Sequence, residues 1–271
     1  SAMPLVVLGG SVDGASRGLG GFQEADQVAF ARPGAKWTAQ VDSTARIPEL
    51  VHLALGKAVN GRPGGVYLDF PGQVVRRRVE ESEIRYRDTS PAITRPHPDP
   101  KAAEAIAAML AGAQRPLILI GKGGGWADAT EPLTRLVNLG IPYVASPTAR
   151  GVIADDNPMC MNAARSSALS GADAVLMVGG RFNWIFQFGR APRFAANTRI
   201  AQVDIVAEEM TSAADVEIGM VADCALGAEA IADALAPRPL ASASSGWVDA
   251  LRADATRNEA AIAEQMASDE E

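Results

Sequence analysis

Short apolar runs that end on glycine, proline or an acid alternate with stretches of helical periodicity along most of this chain. Residues 4–10 (Pro-Leu-Val-Val-Leu-Gly-Gly) and 64–70 (Gly-Gly-Val-Tyr-Leu-Asp-Phe) read as buried parallel strands, each reaching a loop at its carboxyl end. Between them, Ile47, Leu50, Val51, Ala54, Leu55 and Ala58 recur at helical spacing and predict a helix over 47–59. Strand, loop, helix, strand is a βαβ unit of an open α/β sheet, where ligands lie beyond the carboxyl ends of the strands. Gln23, Glu24 and Asp26 fall in such a loop.

The pattern lapses over 76–100. Arg76, Arg77 and Arg78, followed by Glu80, Glu81 and Glu83, cannot bury themselves, and Pro91, Pro96, Pro98 and Pro100 favour an extended path. That is the composition of a linker. From residue 101 the alternation restarts, with helices predicted over 102–110, 130–138 and 225–235 and strands over 116–120, 142–145, 174–178 and 200–205. Strands alternating with helices predict a doubly wound, Rossmann-like domain over 101–236. Residues 237–271 read as a tether with one Ala-rich helix and an acidic tail of Asp269, Glu270 and Glu271. The expected organisation is thus 1–75, linker 76–100, domain 101–236 and tether 237–271, all of α/β class with open parallel sheets.

Composition narrows the class. An apolar fraction of 48% over 271 residues can build a sizeable core, while no apolar run approaches the roughly 20 residues that cross a bilayer. The net charge of −7 argues against a nucleic-acid partner, because phosphate contacts require a basic surface. Cys160 and Cys224 make no disulfide framework, and neither has a second Cys or His at ligand spacing, so both read as small buried thiols. The expectation is a soluble, cytoplasmic protein. His52, inside the helix over 47–59, reads as structural and His97 as a solvated linker residue; neither has a Ser or Cys partner for a hydrolytic triad.

Candidate chemistry gathers at the strand ends. Gly121-Lys122-Gly123-Gly124-Gly125 follows a strand and precedes a helix, an arrangement that exposes backbone N–H groups to a phosphate or simply permits a tight turn. It lacks Walker spacing and a following Ser or Thr for magnesium, which argues against phosphoryl transfer. Asp204 ends a predicted strand, where an acid accepts hydrogen bonds from ribose hydroxyls while Ile205 packs on a base. Arg165 and Arg181 are candidates to neutralise phosphates, and Asp223 is a weaker candidate acceptor. Trp184, Phe186 and Phe188 alternate, as core aromatics or as the wall of an acyl-CoA tunnel.

Five dispersed segments in order carry a resemblance: 20–28 (Gly-Gly-Phe-Gln-Glu-Ala-Asp-Gln-Val), 61–71 (Gly-Arg-Pro-Gly-Gly-Val-Tyr-Leu-Asp-Phe-Pro), 117–126, 163–169 and 180–194. The chain resembles the thiamine-diphosphate enzymes, in the acyl-CoA branch of 2-hydroxyacyl-CoA lyase and oxalyl-CoA decarboxylase. The resemblance implies the rear of a pyrimidine-binding domain followed by a central domain. It implies thiamine diphosphate and Mg2+ in the complete enzyme, an acyl-CoA substrate, ADP in the central domain, and a homodimer or homotetramer. Through it, Gly121, Lys122 and Gly123 acquire a phosphate-bearing ligand, and Phe22 and Gln23 a place facing substrate; Gln23 is where the lyase pattern parts from the decarboxylase one. In this family the cofactor-activating glutamate lies upstream of such a segment and the Mg-diphosphate motif in a third domain, and neither is found here. The chain is therefore expected to be an internal piece of a larger lyase, with a non-catalytic nucleotide-binding module as the alternative.

Overall fold

The computed structural model describes residues 2–87, 93–241 and 243–267, in two compact units that divide between Ile93 and Thr94. Pro91 of the expected linker and the acidic tail of Asp269, Glu270 and Glu271 lie outside the described residues. Both units are α/β, with wholly parallel sheets as the sequence predicts.

The first unit runs β1 (Leu5–Ser11), α1 (Gln27–Ala31), β2 (Trp37–Gln40), α2 (Ile47–Val59), β3 (Gly65–Pro71) and α3 (Gly72–Arg76). β3 is central, in the order β1-β3-β2, with Leu5 opposite Gly65 and Trp37 opposite Val66. Leu50, Ala54 and Ala58 of α2 are buried over Leu68 and Val66, the face that the helical spacing foretold. β2 escaped prediction, although Trp37, Ala39 and Val41 alternate inward with Thr38 and Gln40 between them. The reading of β1 as a buried strand is corrected: it is an edge strand among the described residues, and Leu5 and Leu8 are each 57% exposed. An apolar run specifies a strand, but its burial depends on what covers it. The expected extended linker also holds a 3-10 turn at Glu81–Glu83, closed by reciprocal Glu80 and Glu83 capping bonds.

The second unit comprises α4 (Pro100–Gly112), β4 (Pro116–Ile120), α5 (Lys122–Trp126), α6 (Thr130–Asn138), β5 (Tyr143–Ala145), α7 (Arg165–Gly171), β6 (Ala174–Val178), β7 (Arg199–Asp204), β8 (Ile218–Val221), α8 (Cys224–Leu235) and α9 (Ala243–Ala267). Its sheet has the order β5-β4-β6-β7-β8, so the chain leaves β4 first to one side and then to the other. Ile118 and Ile120 pack with α4, α6 and α8, whereas Leu117 and Leu119 pack with α7, α9 and the Phe182, Phe186 and Phe194 cluster. Cover on both faces is why β4 and β6 are continuous apolar runs. The expected tether is corrected too. Trp247, Leu251 and Ala255 recur every four residues on α9, Leu251 is buried, and the Trp247 indole N–H donates to the Pro116 carbonyl at 3.1 Å. The front of α9 therefore belongs to this unit's core.

Candidate functional site

Beyond the carboxyl end of β1, a glycine-rich loop is folded around Glu24. Its carboxylate accepts hydrogen bonds from the backbone N–H groups of Gly18, Gly20 and Gly21. Those amides, Gly18 first, hold the Glu24 carboxyl below the usual glutamate value. Gly18 and Gly20 take left-handed φ of 88° and 74°, which the tight wrap requires, and Gln23 does so at 59°. A left-handed non-glycine residue in a candidate ligand loop is strain that the surrounding fold must hold. The Gln23 side-chain oxygen lies over Gly10, 3.9 Å from where a Cβ on that glycine would sit. Phe22 is 88% exposed. Asp26 caps α1, accepting from the Ala29 N–H at 3.0 Å.

Under this loop lies a network that sequence reasoning missed. Asp69, near the end of β3, is buried, and accepts from the Ser11 hydroxyl at 2.8 Å, the Gln40 amide at 2.6 Å and the Tyr67 hydroxyl at 3.0 Å. Tyr67 also lies 2.6 Å from the Gln27 side-chain oxygen, and the Gln27 amide donates to the Gly10 carbonyl at 2.8 Å. The three strands and α1 are thus tied together at their ligand-facing ends. Burial, then the Asp69 hydrogen bond, push the Tyr67 phenol up to about 12, so it stays a neutral donor at physiological pH. One signal was legible: a lone acid inside Val66-Tyr67-Leu68-Asp69-Phe70 demands buried partners.

In the second unit the glycine-rich turn is not the open cradle expected. The Gly121 N–H donates to the Val178 carbonyl at 2.9 Å, Gly123 to Gly179 at 2.7 Å, and Gly124 to Gly121 at 3.1 Å. These amides are spent on backbone carbonyls, so they offer a phosphate nothing. The glycines instead permit the ends of β4 and β6 to touch: a Cβ on Gly121 would sit 2.2 Å from the Gly179 carbonyl oxygen. Lys122 beside them is half-buried, and burial pushes its ammonium down from the ordinary lysine value. Arg181 follows Gly179 and Gly180 and is exposed.

Arg165 is also redirected. Its guanidinium donates to the Ile185 carbonyl at 2.8 Å and the Ala145 carbonyl at 3.3 Å and stacks 4.6 Å over the Phe186 ring, so two of its donors tie the end of β5 to the segment at Ile185. Phe186 is core, while Trp184 and Phe188 are 71% and 49% exposed, which divides the aromatic triplet between the two readings.

Asp204 and Asp223 do come together. Both flank Cys224, whose thiol is pushed up to about 12 by burial and then by these two carboxylates. Asp204 is buried at the end of β7 and accepts from the Val206 N–H at 3.0 Å, with the half-buried Ile205 next to it. Asp223 caps α8 through the Ala225 and Leu226 amides and pairs with Arg95 at 3.6 Å. That explains Asp223 as an anchor, with its own N–H donating to the Pro96 carbonyl at 2.9 Å.

A family model described as thiamine pyrophosphate enzyme, central domain, matches residues 103–231, the span from α4 to α8. This span carries the central domain of the thiamine pyrophosphate enzymes. It is 34% identical to a 2-hydroxyacyl-CoA lyase of Oryza sativa over 99% of this chain and 48% of that protein. Against 2-hydroxyacyl-CoA lyase 1 of Mus musculus the identity is 32%, over 98% of this chain and 46% of the relative. Against oxalyl-CoA decarboxylase of Escherichia coli it is 35%, over 83% and 41%. The chain spans about half the length of the curated relatives it matches. Among the described residues no three His, Cys, Asp and Glu side chains gather as a metal site, so none is assigned to the metal that a thiamine diphosphate group needs at its diphosphate end. No described helix is long and apolar enough to cross a membrane.

Proposed function

We propose that this chain is the rear of the pyrimidine-binding domain and the central domain of a thiamine-diphosphate-dependent carbon–carbon lyase. In this reading the complete enzyme cleaves a 2-hydroxyacyl-CoA to formyl-CoA and an aldehyde or ketone. The observation that carries it is likeness to proteins named 2-hydroxyacyl-CoA lyase over 98–99% of the chain. The cofactor, when bound, supplies the electron sink for the carbanion. The chain's own part is to orient substrate: Gln23, on its left-handed residue beyond β1, offers an amide that donates to one oxygen and accepts from a hydroxyl without changing protonation. Such an enzyme acts as a homodimer or homotetramer in the cytoplasm.

In the complete parent enzyme, Gln23→Glu is expected to depress kcat/KM on a 2-hydroxyacyl-CoA by about one to two decades, the cost of one charged mismatch, with cofactor affinity unchanged. Full activity of the variant, or a wild-type preference for oxalyl-CoA, would move the assignment to oxalyl-CoA decarboxylase, the reading favoured by 35% identity to that Escherichia coli enzyme.

The same reading places ADP at the carboxyl ends of β6 and β7, its ribose hydroxyls on Asp204, its base against Ile205, and its phosphates on the side chains of Lys122 and Arg181. The spent glycine amides favour side chains over backbone as the phosphate ligands. Asp204→Ala is expected to weaken ADP by roughly one to two decades in calorimetry; an unchanged affinity would move the nucleotide elsewhere.

A further inference from the structure

One cleft runs against the charge of the rest of the molecule. It lies wholly in the first unit, measures about 850 Å³, and is formed by α2, the approach to β2 and the residues flanking them. Among the described residues, Lys36, Lys57 and Arg87 line it and no carboxylate does. In a chain with 32 acids to 25 bases, three cations around one concavity with no acid among its described lining residues are not average surface. Between the cations the wall is apolar: Leu53, Val59 and Ile93 are 39%, 44% and 64% exposed.

The cations feel one another. Burial pushes the Lys36 ammonium below the ordinary lysine value, and the charges of Lys57 and Arg62 push it further. Lys36 turns inward to donate to the Asn60 carbonyl, at the end of the same helix that carries Lys57. A concave surface of one sign with apolar walls concentrates field, and an anion seated there relieves the repulsion. The volume falls within the roughly 300–1,000 Å³ typical of small-molecule sites. We infer that this cleft binds an amphipathic organic anion, its phosphate or carboxylate head among Lys36, Lys57 and Arg87 and its alkyl tail along Leu53, Val59 and Ile93. The inference is independent of the lyase reading, since none of these residues is assigned to the reaction or to the nucleotide.

Calorimetric titration of the 271-residue chain with monomeric octyl phosphate tests it. Saturable binding is expected, weakening as salt rises, whereas neutral octyl glucoside should not compete. Lys57→Gln keeps a good helix former on α2 and should weaken octyl phosphate by about tenfold or more, the loss of one charge-assisted contact. Lys36→Gln should do the same, and Arg252→Gln, on α9 of the other unit, should change nothing. Octyl glucoside binding as tightly as octyl phosphate would overturn the inference. So would unchanged affinity in both lysine variants, or absence of saturable binding by a chain that melts cooperatively.

Discussion

Asp69→Ala is expected to remove about 3 kcal/mol from the stability of the first unit, because it strips a buried acceptor from three donors at once. Ser11, Gln40 and Tyr67 each donate to that carboxylate, and they come from β1, β2 and β3. Ser11 and Tyr67 are themselves buried, so water cannot freely replace the lost partner. Asp69→Asn should cost less, since it keeps one acceptor oxygen while setting an amide N–H₂ against donors. Native-state hydrogen exchange along β3 measures this. A loss of about 3 kcal/mol corresponds to roughly a hundredfold faster exchange, and protection equal to wild type would show the network to be dispensable. The damage should reach Gly10 through Tyr67 and Gln27, and so the loop that carries Gln23.

Gly121→Ala should destabilise the second unit by about 3 kcal/mol or more, through overpacking and the lost β4–β6 bonds together. The new Cβ would stand 2.2 Å from both the Gly179 carbonyl oxygen and the Gly180 Cα, and backbone cannot swing away as a flexible side chain can. Parting those segments would break the Gly121 to Val178 and Gly123 to Gly179 hydrogen bonds that close the sheet between β4 and β6. Gly112→Ala is the matched control. That glycine lies in α4 with nothing within 4 Å of an added Cβ, so the same substitution should stabilise by about 0.5 to 1 kcal/mol. Urea unfolding of the pair separates them: opposite shifts in midpoint are expected, and a neutral Gly121→Ala would return the glycine-rich turn to the open cradle that its sequence suggests.

Local pattern was enough for the elements that bury a continuous or periodic apolar surface. β4 and β6 are continuous apolar runs, β3 and β7 carry apolar stretches with few polar residues, and α2, α4, α6 and α8 show a 3.6-residue stripe; each is legible because the covering elements impose a pattern on neighbouring residues. The resemblance carried by segments 20–28 and 61–71 through 180–194 was legible for the same reason, being a matter of residues adjacent in the chain. What only the tertiary structure decided are the pairings between distant residues. Asp69 finds Ser11 across 58 residues and Gln40 across 29, Gly121 meets Gly179 and Gly180, and Arg165 turns to Ala145 and Ile185. A donor in a sequence shows that it must be satisfied but not by whom, so the glycine amides and Arg165 looked available for phosphate until their carbonyl partners were known. The exposure of β1 has the same origin: hydrophobic pattern fixes which residues seek cover, and only the assembled sheet determines whether cover is there.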